Sequence, residues 1–266
     1  MLKTVRQMKI YDYSEQYAAC AVCGDIHGEF DSLIEKMERM ELTDTLVIVA
    51  GDCGIGFDDS GYYQDVYQRI VHTLDKINCG LLLVRGNHDD PEYFERELIA
   101  FPRMRTIPDY SVVRFRERTI LCVGGAISID RRYRTMQMHI NQVESYASRK
   151  LYWENEAPQF IEREMDAIKE GKWRIDTVIT HTAPSFCYPT TKSGIEMWMR
   201  KDPDLERDID QERETMDKIH NRLLTDGHPL CCWFYGHYHD TCSDRIAGVG
   251  FYMLGIGQIR EIPTFR

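Results

Sequence analysis

Three times in its first hundred residues the chain passes from an apolar run into a glycine turn that carries a potential ligand. Residues 17–22 lead to Gly24-Asp25-Ile26-His27-Gly28, Thr45–Ala50 to Gly51-Asp52, and Gly80–Val84 to Arg85-Gly86-Asn87-His88-Asp89. The second and third runs are continuous rather than alternating, as expected of strands in a parallel sheet covered on both faces. Helical patterns follow. Leu33, Ile34, Met37 and Met40 mark the first, and Val66, Ile70, Leu74 and Ile77 the second. Asp90-Pro91 opens the third, with Asp90 as N-cap and Pro91 at the first helical position. Repeated strand–turn–helix units predict an α/β fold. In open α/β sheets, sites form beyond the carboxyl ends of the strands, so three ligand-bearing turns there predict one shared site.

Later in the chain, residues 110–114 and 119–124 read as a meander, and 176–180 and 230–235 as further strands. The last two run into His181 and into Gly236-His237-Tyr238-His239. Short strands near 245–247 and 250–254 complete the core, and residues 1–16 read as an edge strand or an arm. Helices are expected over 158–170 and 205–224. Residues 126–134 carry three arginines close together, and the polar 135–156 show no clear period. The length fits one domain, 1–266, with insertions at about 126–165 and 185–228 where loops decide substrate.

A net charge of −10 weighs against a broad nucleic-acid or membrane-binding surface. The nine cysteines are an odd number, mostly in apolar contexts, and read as buried reduced thiols of a cytoplasmic protein. Cys20 and Cys23 form a CxxC, but no second pair stands at zinc-finger spacing. The first residues are polar, without a signal-peptide pattern, and no apolar run approaches membrane-spanning length.

Leaving Asp89 aside, the turns together supply two Asp, one Asn and four or five His. That mixed oxygen and nitrogen set suits divalent ions of intermediate hardness, and lacks the thiolates of a structural zinc site. The ordered pattern GDxH…GD…GNHD…H…GHxH, over residues 24–239, resembles the calcineurin-like metallophosphoesterase superfamily. The resemblance implies a four-layer α/β/β/α sandwich with cap-like insertions. It also implies two divalent ions, with Mn²⁺ expected and Fe²⁺ or Zn²⁺ as alternatives. Carried over by position, Asp25, His27 and His239 hold the first metal, Asn87, His181 and His237 the second, and Asp52 bridges them. His88 matches the family's non-ligand histidine over the substrate phosphate. The implied chemistry is hydrolysis of a phosphomonoester or phosphodiester, a nucleotide being one candidate. A hydroxide shared by ions roughly 3.5–4 Å apart is the attacking group, with Asp52 and His88 as catalytic residues.

Arg85, Arg131, Arg132 or Arg134 can contact phosphate, although such arginines are also ordinary surface charge. Asp89 is grouped with the substrate-binding residues, and Asp89, Asp58 or Asp59 can orient His88. Tyr146, Tyr152 and Trp153 can line a base-binding wall and Met197-Trp198-Met199 a lid edge, with packing the preferred reading of both. One departure is informative: the second turn continues Cys53-Gly54-Ile55, and Ile55 stands where the phosphoprotein phosphatase branch has an aspartate. Residues 124–134 resemble small bacterial and phage enzymes instead. The expected partner is a small phosphorylated substrate, neither membrane nor nucleic acid. A protein Ser/Thr phosphatase or a nuclease is the alternative. A non-catalytic scaffold ranks below these, since all seven ligand positions are filled.

Overall fold

The computed structural model describes residues 8–143 and 150–263. Six strands form the first sheet: β2 (Ala19–Cys23), β3 (Thr45–Ala50), β4 (Gly80–Val84), β5 (Ala100–Phe101), β6 (Met104–Thr106) and β13 (Ile259–Glu261). Their order is β13-β2-β3-β4-β6-β5, parallel from β2 to β6 with an antiparallel strand on each edge. The second sheet has seven: β1 (Ile10–Asp12), β7 (Ser111–Phe115), β8 (Arg118–Val123), β9 (Thr177–Thr180), β10 (Cys232–Tyr235), β11 (Cys242–Ile246) and β12 (Val249–Met253). These run β1-β7-β8-β9-β10-β12-β11, with β8, β9, β10 and β12 parallel.

Strand alternation divides the core into three apolar layers. On β3, Val47 and Val49 face Leu33 and Met37 of α1 (Phe30–Arg39) and Val66, Ile70 and Leu74 of α2 (Ser60–Lys76). Leu46 and Ile48, on the other face of β3, share a layer with Leu82, Val113, Ile120, Ile179 and Phe234, which joins the two sheets. Beyond the second sheet, Val178, Trp233 and Phe251 pack with Met165 and Ile168 of α5 (Glu162–Glu170) and Met216, Ile219 and Leu223 of α7 (Leu205–Thr225). The result is the expected α/β/β/α order.

Three elements differ from the sequence reading. Helix α4 (Arg131–Val143) is not among the expected helices; Tyr133, Met136 and Ile140 keep an i, i+3, i+7 spacing, but this stripe faces solvent. The 185–228 segment is more than a cap: α6 (Glu196–Lys201) belongs to it, yet α7 is one of the outer-layer helices. Finally, α5 begins only at Glu162, since Ile161 is extended. The short α3 (Pro91–Glu95) keeps its cap, Asp90 accepting from Glu92 N–H.

Candidate metal centre

The parallel strands β2, β3 and β4 of one sheet and β9 and β10 of the other end on the same side, and every motif turn meets there. Close approach of backbone makes the glycines necessary. A Cβ on Gly86 would lie 2.1 Å from both the amide nitrogen and Oδ1 of Asp52, and one on Gly51 would lie 2.2 Å from the His181 ring. His27, Asp52, His237 and His239 all take left-handed backbone, with φ of 48°, 47°, 70° and 55°. That conformation is uncommon outside glycine, and clusters where structure is held for function.

Two groups of donors flank Asp52. In the first, Asp25, His27, Asp52 and His239 each offer a ligand atom, all within 4.8 Å of one another. His27 and His239 point their Nε2 atoms at each other across 3.0 Å. Asp25 is fully buried. Its Oδ1 accepts from the His237 N–H (2.9 Å), whereas Oδ2 takes no hydrogen bond and lies 3.1 Å from His239 Nε2. A buried carboxylate oxygen without a donor, facing imidazole nitrogens, fits a cation.

In the second group His181 Nδ1 donates to the Ala50 carbonyl (2.7 Å), which turns the Nε2 lone pair inward. That Nε2 stands 3.0 Å from Asn87 Oδ1 and 3.2 Å from Asp52 Oδ1. The amide orientation of Asn87 is fixed because its Nδ2 donates to Ser128 Oγ (2.9 Å). Three lone-pair atoms so close need a proton or a cation between them. Burial opposes charge on His181, but Asp52 and Asp25 outweigh it and raise the ring to about 10. Burial likewise opposes charge on Asp52, yet His181, His88 and His27 hold its carboxyl well below the usual range. The His237 ring packs edge-on to His181, centroids 5.0 Å apart, and burial lowers it to about 3.

The structure gathers all seven residues that the resemblance names as ligands. His88 sits beside them, its Nδ1 3.8 Å from Asp52 Oδ2 and its backbone N–H donating to Asp52 Oδ1 (2.7 Å). Burial lowers the His88 ring to about 4, which keeps it neutral near pH 7. Asp52, Asn87, His88, His237 and His239 line a cleft of about 1190 Å³, together with Tyr188, Ile195 and Trp198. Trp198 thus faces the cleft rather than a core. Trp153 is buried against Phe57, as packing requires. Tyr146 lies outside the described residues.

The expected substrate-binding set needs correction. Arg85 is buried, and its guanidinium is held by the Glu156 carbonyl (2.6 Å) and Asp109 (2.8 Å). Arg131 ties α4 to the 185–228 segment through Asp202 (2.6 Å) and Asp208 (2.7 Å), while Arg132 is exposed and pairs with Asp202. Asp89 is fully buried, accepting from Cys53 N–H (3.0 Å), Ile55 N–H (2.8 Å) and Gly86 N–H (2.7 Å). It fastens the second and third turns together and does not reach the His88 ring. Asp59 caps α2 through Tyr62 N–H. The His88 ring is met instead by Arg134. Sequence reasoning missed a further pair, Ser128 and Glu156. Glu156 accepts from both Ser128 N–H (2.8 Å) and Oγ–H (2.6 Å), and so backs Asn87. No spacing signal links residues so far apart.

Fold and site together define a metal-dependent phosphoesterase architecture. Residues 19–240 match the calcineurin-like phosphoesterase family, and the chain belongs to that family of phosphoester hydrolases. Solved structures with a similar course include a dimetal phosphatase from Danio rerio, 14% identical, covering 91% of this chain and 88% of that one at a TM-score of 0.41. A protein from Staphylococcus aureus, provisionally assigned as a 5′-nucleotidase, is 11% identical over 91% of this chain at a TM-score of 0.43. This chain spans only 50% of the length of that protein. The phosphopantetheinyl hydrolase of Mycobacterium tuberculosis is 15% identical, covering 92% and 96% of the two chains at a TM-score of 0.35. No curated protein sequence matches the chain. Among the described residues no helix is long and apolar enough to cross a membrane.

Proposed function

We propose that the chain hydrolyses a small phosphate ester using two divalent ions, one held by Asp25, His27 and His239, the other by Asn87, His181 and His237, with Asp52 shared. The observation that carries this is the crowding of lone pairs on both sides of Asp52: Asp25 Oδ2, His27 and His239 on one, His181 Nε2 and Asn87 Oδ1 on the other. Mixed carboxylate, amide and imidazole donors favour Mn²⁺, with Fe²⁺ or Zn²⁺ as alternatives. Bound there, such ions supply Lewis-acid chemistry, acidifying water and offsetting charge on a phosphoryl group.

The chain's own residues supply the rest. Asp52 orients both ligand groups and fixes the His88 backbone. His88, at the cleft edge, protonates or hydrogen-bonds the leaving oxygen. The two segments 126–165 and 185–228 border the cleft, and we read 1–266 as one catalytic unit. Nine free cysteines, seven of them buried, favour a reducing, cytoplasmic setting.

The test is hydrolysis of p-nitrophenyl phosphate and bis-p-nitrophenyl phosphate with added Mn²⁺, for wild type and Asp52→Asn. Turnover of either ester that Asp52→Asn reduces by at least about 100-fold supports the reading. Equal rates in the two proteins, or a wild type that neither turns over ester nor binds metal, refute it.

A further inference from the structure

Arg134 differs from the other cations around the cleft. It stands in the first turn of α4, where Asp130 Oδ1 takes its Nε–H (2.8 Å) and fixes the guanidinium plane. Nη1 donates to the Leu151 carbonyl (3.3 Å). Nη2 reaches into the cleft and lies 2.5 Å from His88 Nε2 and 3.3 Å from Nδ1. A guanidinium only donates, so the ring nitrogen meets it as acceptor. The other basic side chains lining this cleft are committed. Lys192 pairs with Asp210 (2.6 Å) and Glu206 (3.5 Å), and Arg213 donates to the Pro184 and Cys187 carbonyls and to Tyr238 Oη. The cleft also carries the acidic side chains Glu206, Asp210, Glu214 and Asp217.

A donor that meets only an imidazole nitrogen is exchangeable in a way that one paired with a carboxylate is not. An incoming phosphoryl oxygen offers Nη2 an anionic acceptor in place of the ring nitrogen, and releases His88 to face the leaving oxygen. The charge of the ester matters as well. A phosphomonoester presents three non-bridging oxygens and up to two negative charges, a phosphodiester two oxygens and one charge. A fixed guanidinium beside His88 therefore favours the monoester.

We infer that Arg134 is a catalytic residue that binds the non-bridging oxygens of a phosphomonoester, and that the enzyme prefers monoesters on its account. The inference rests on the hydrolase reading above. It assigns to Arg134 the contact that Arg85, Arg131 and Arg132 do not make.

The test uses the full chain loaded with Mn²⁺, its metal content measured in each variant. Rates on p-nitrophenyl phosphate and bis-p-nitrophenyl phosphate are compared for wild type, Arg134→Ala, Arg134→Lys and the control Arg132→Ala. Inorganic phosphate is titrated calorimetrically into each protein. We expect Arg134→Ala to lower kcat/KM on the monoester about 100-fold and on the diester less than about 10-fold. Phosphate affinity falls about tenfold, and Arg134→Lys recovers part of both losses. Arg132→Ala stays within about twofold of wild type, as for an exposed surface charge. The inference is overturned if Arg134→Ala, with wild-type metal content, keeps the monoester rate or loses both substrates equally. Should the wild type hydrolyse neither ester and hold no metal, the hydrolase reading fails by itself. The phosphate titration then decides on Arg134, unchanged affinity in Arg134→Ala refuting its role.

Discussion

Asn87 can offer either end of its amide, and Ser128 decides which. With Nδ2 committed to Ser128 Oγ, and that hydroxyl committed to Glu156, the amide oxygen is turned toward His181 and Asp52. Ser128→Ala removes this constraint. Mn²⁺ affinity measured by calorimetry should fall about 10–100-fold for one of two ions while the fold stays intact, the usual cost of losing a partner behind a ligand. Asp89 acts on backbone rather than on side chains. Asp89→Ala leaves three buried N–H groups without an acceptor, at about 1–3 kcal/mol each, and urea denaturation of the metal-free protein should report a loss of several kcal/mol. The seven candidate ligands were legible because each follows an apolar run at a glycine turn. The arginine that faces His88 was not. Four arginines stood near the motifs, and only the path of α4 shows which one reaches the cleft.

At the scale of elements, strands β2, β3, β4, β9 and β10 were readable from continuous apolar runs, and α1 and α2 from their stripes. Helix α4 was passed over although Tyr133, Met136 and Ile140 keep an i, i+3, i+7 spacing, since they are few among polar residues; in the structure they lie outward and Arg134 meets the cleft. Helix α7 was expected as part of an insertion, but Met216, Ile219 and Leu223 recur on one face and fill the layer beneath the second sheet. Leu223→Ala should therefore cost about 2–5 kcal/mol in equilibrium unfolding, as for a core residue, whereas a cap position would show almost none. The α6 and α7 region thus both supports the sheet and walls the cleft, so substrate-facing changes there are limited to the outward side.

For the whole molecule, one buried carboxyl sets a pH dependence. Burial, the largest cause, pushes Glu156 up to about 8 from an ordinary value of 4.5. Between those values the folded protein keeps a proton that the unfolded chain has released. Stability from this group accordingly declines as pH rises from about 4.5 to about 8 and is level above. In the metal-free protein, the melting temperature of Glu156→Gln relative to wild type should climb across that window; a difference that does not change with pH would show that Glu156 is charged throughout. The candidate ligands come from both sheets: Asp25, His27, Asp52 and Asn87 from the strand ends of one, His181, His237 and His239 from the other. No ladder of strand hydrogen bonds joins the sheets among the described residues. On the proposed reading, an ion seated there rivets two halves that otherwise meet across an oily seam. At 100 times its dissociation constant each ion would add about 2.7 kcal/mol to that seam. Amide exchange should slow in β2–β4 and in β9–β10 in step as Mn²⁺ is added, so that a chelator disarms the enzyme and lets it breathe open in a single act.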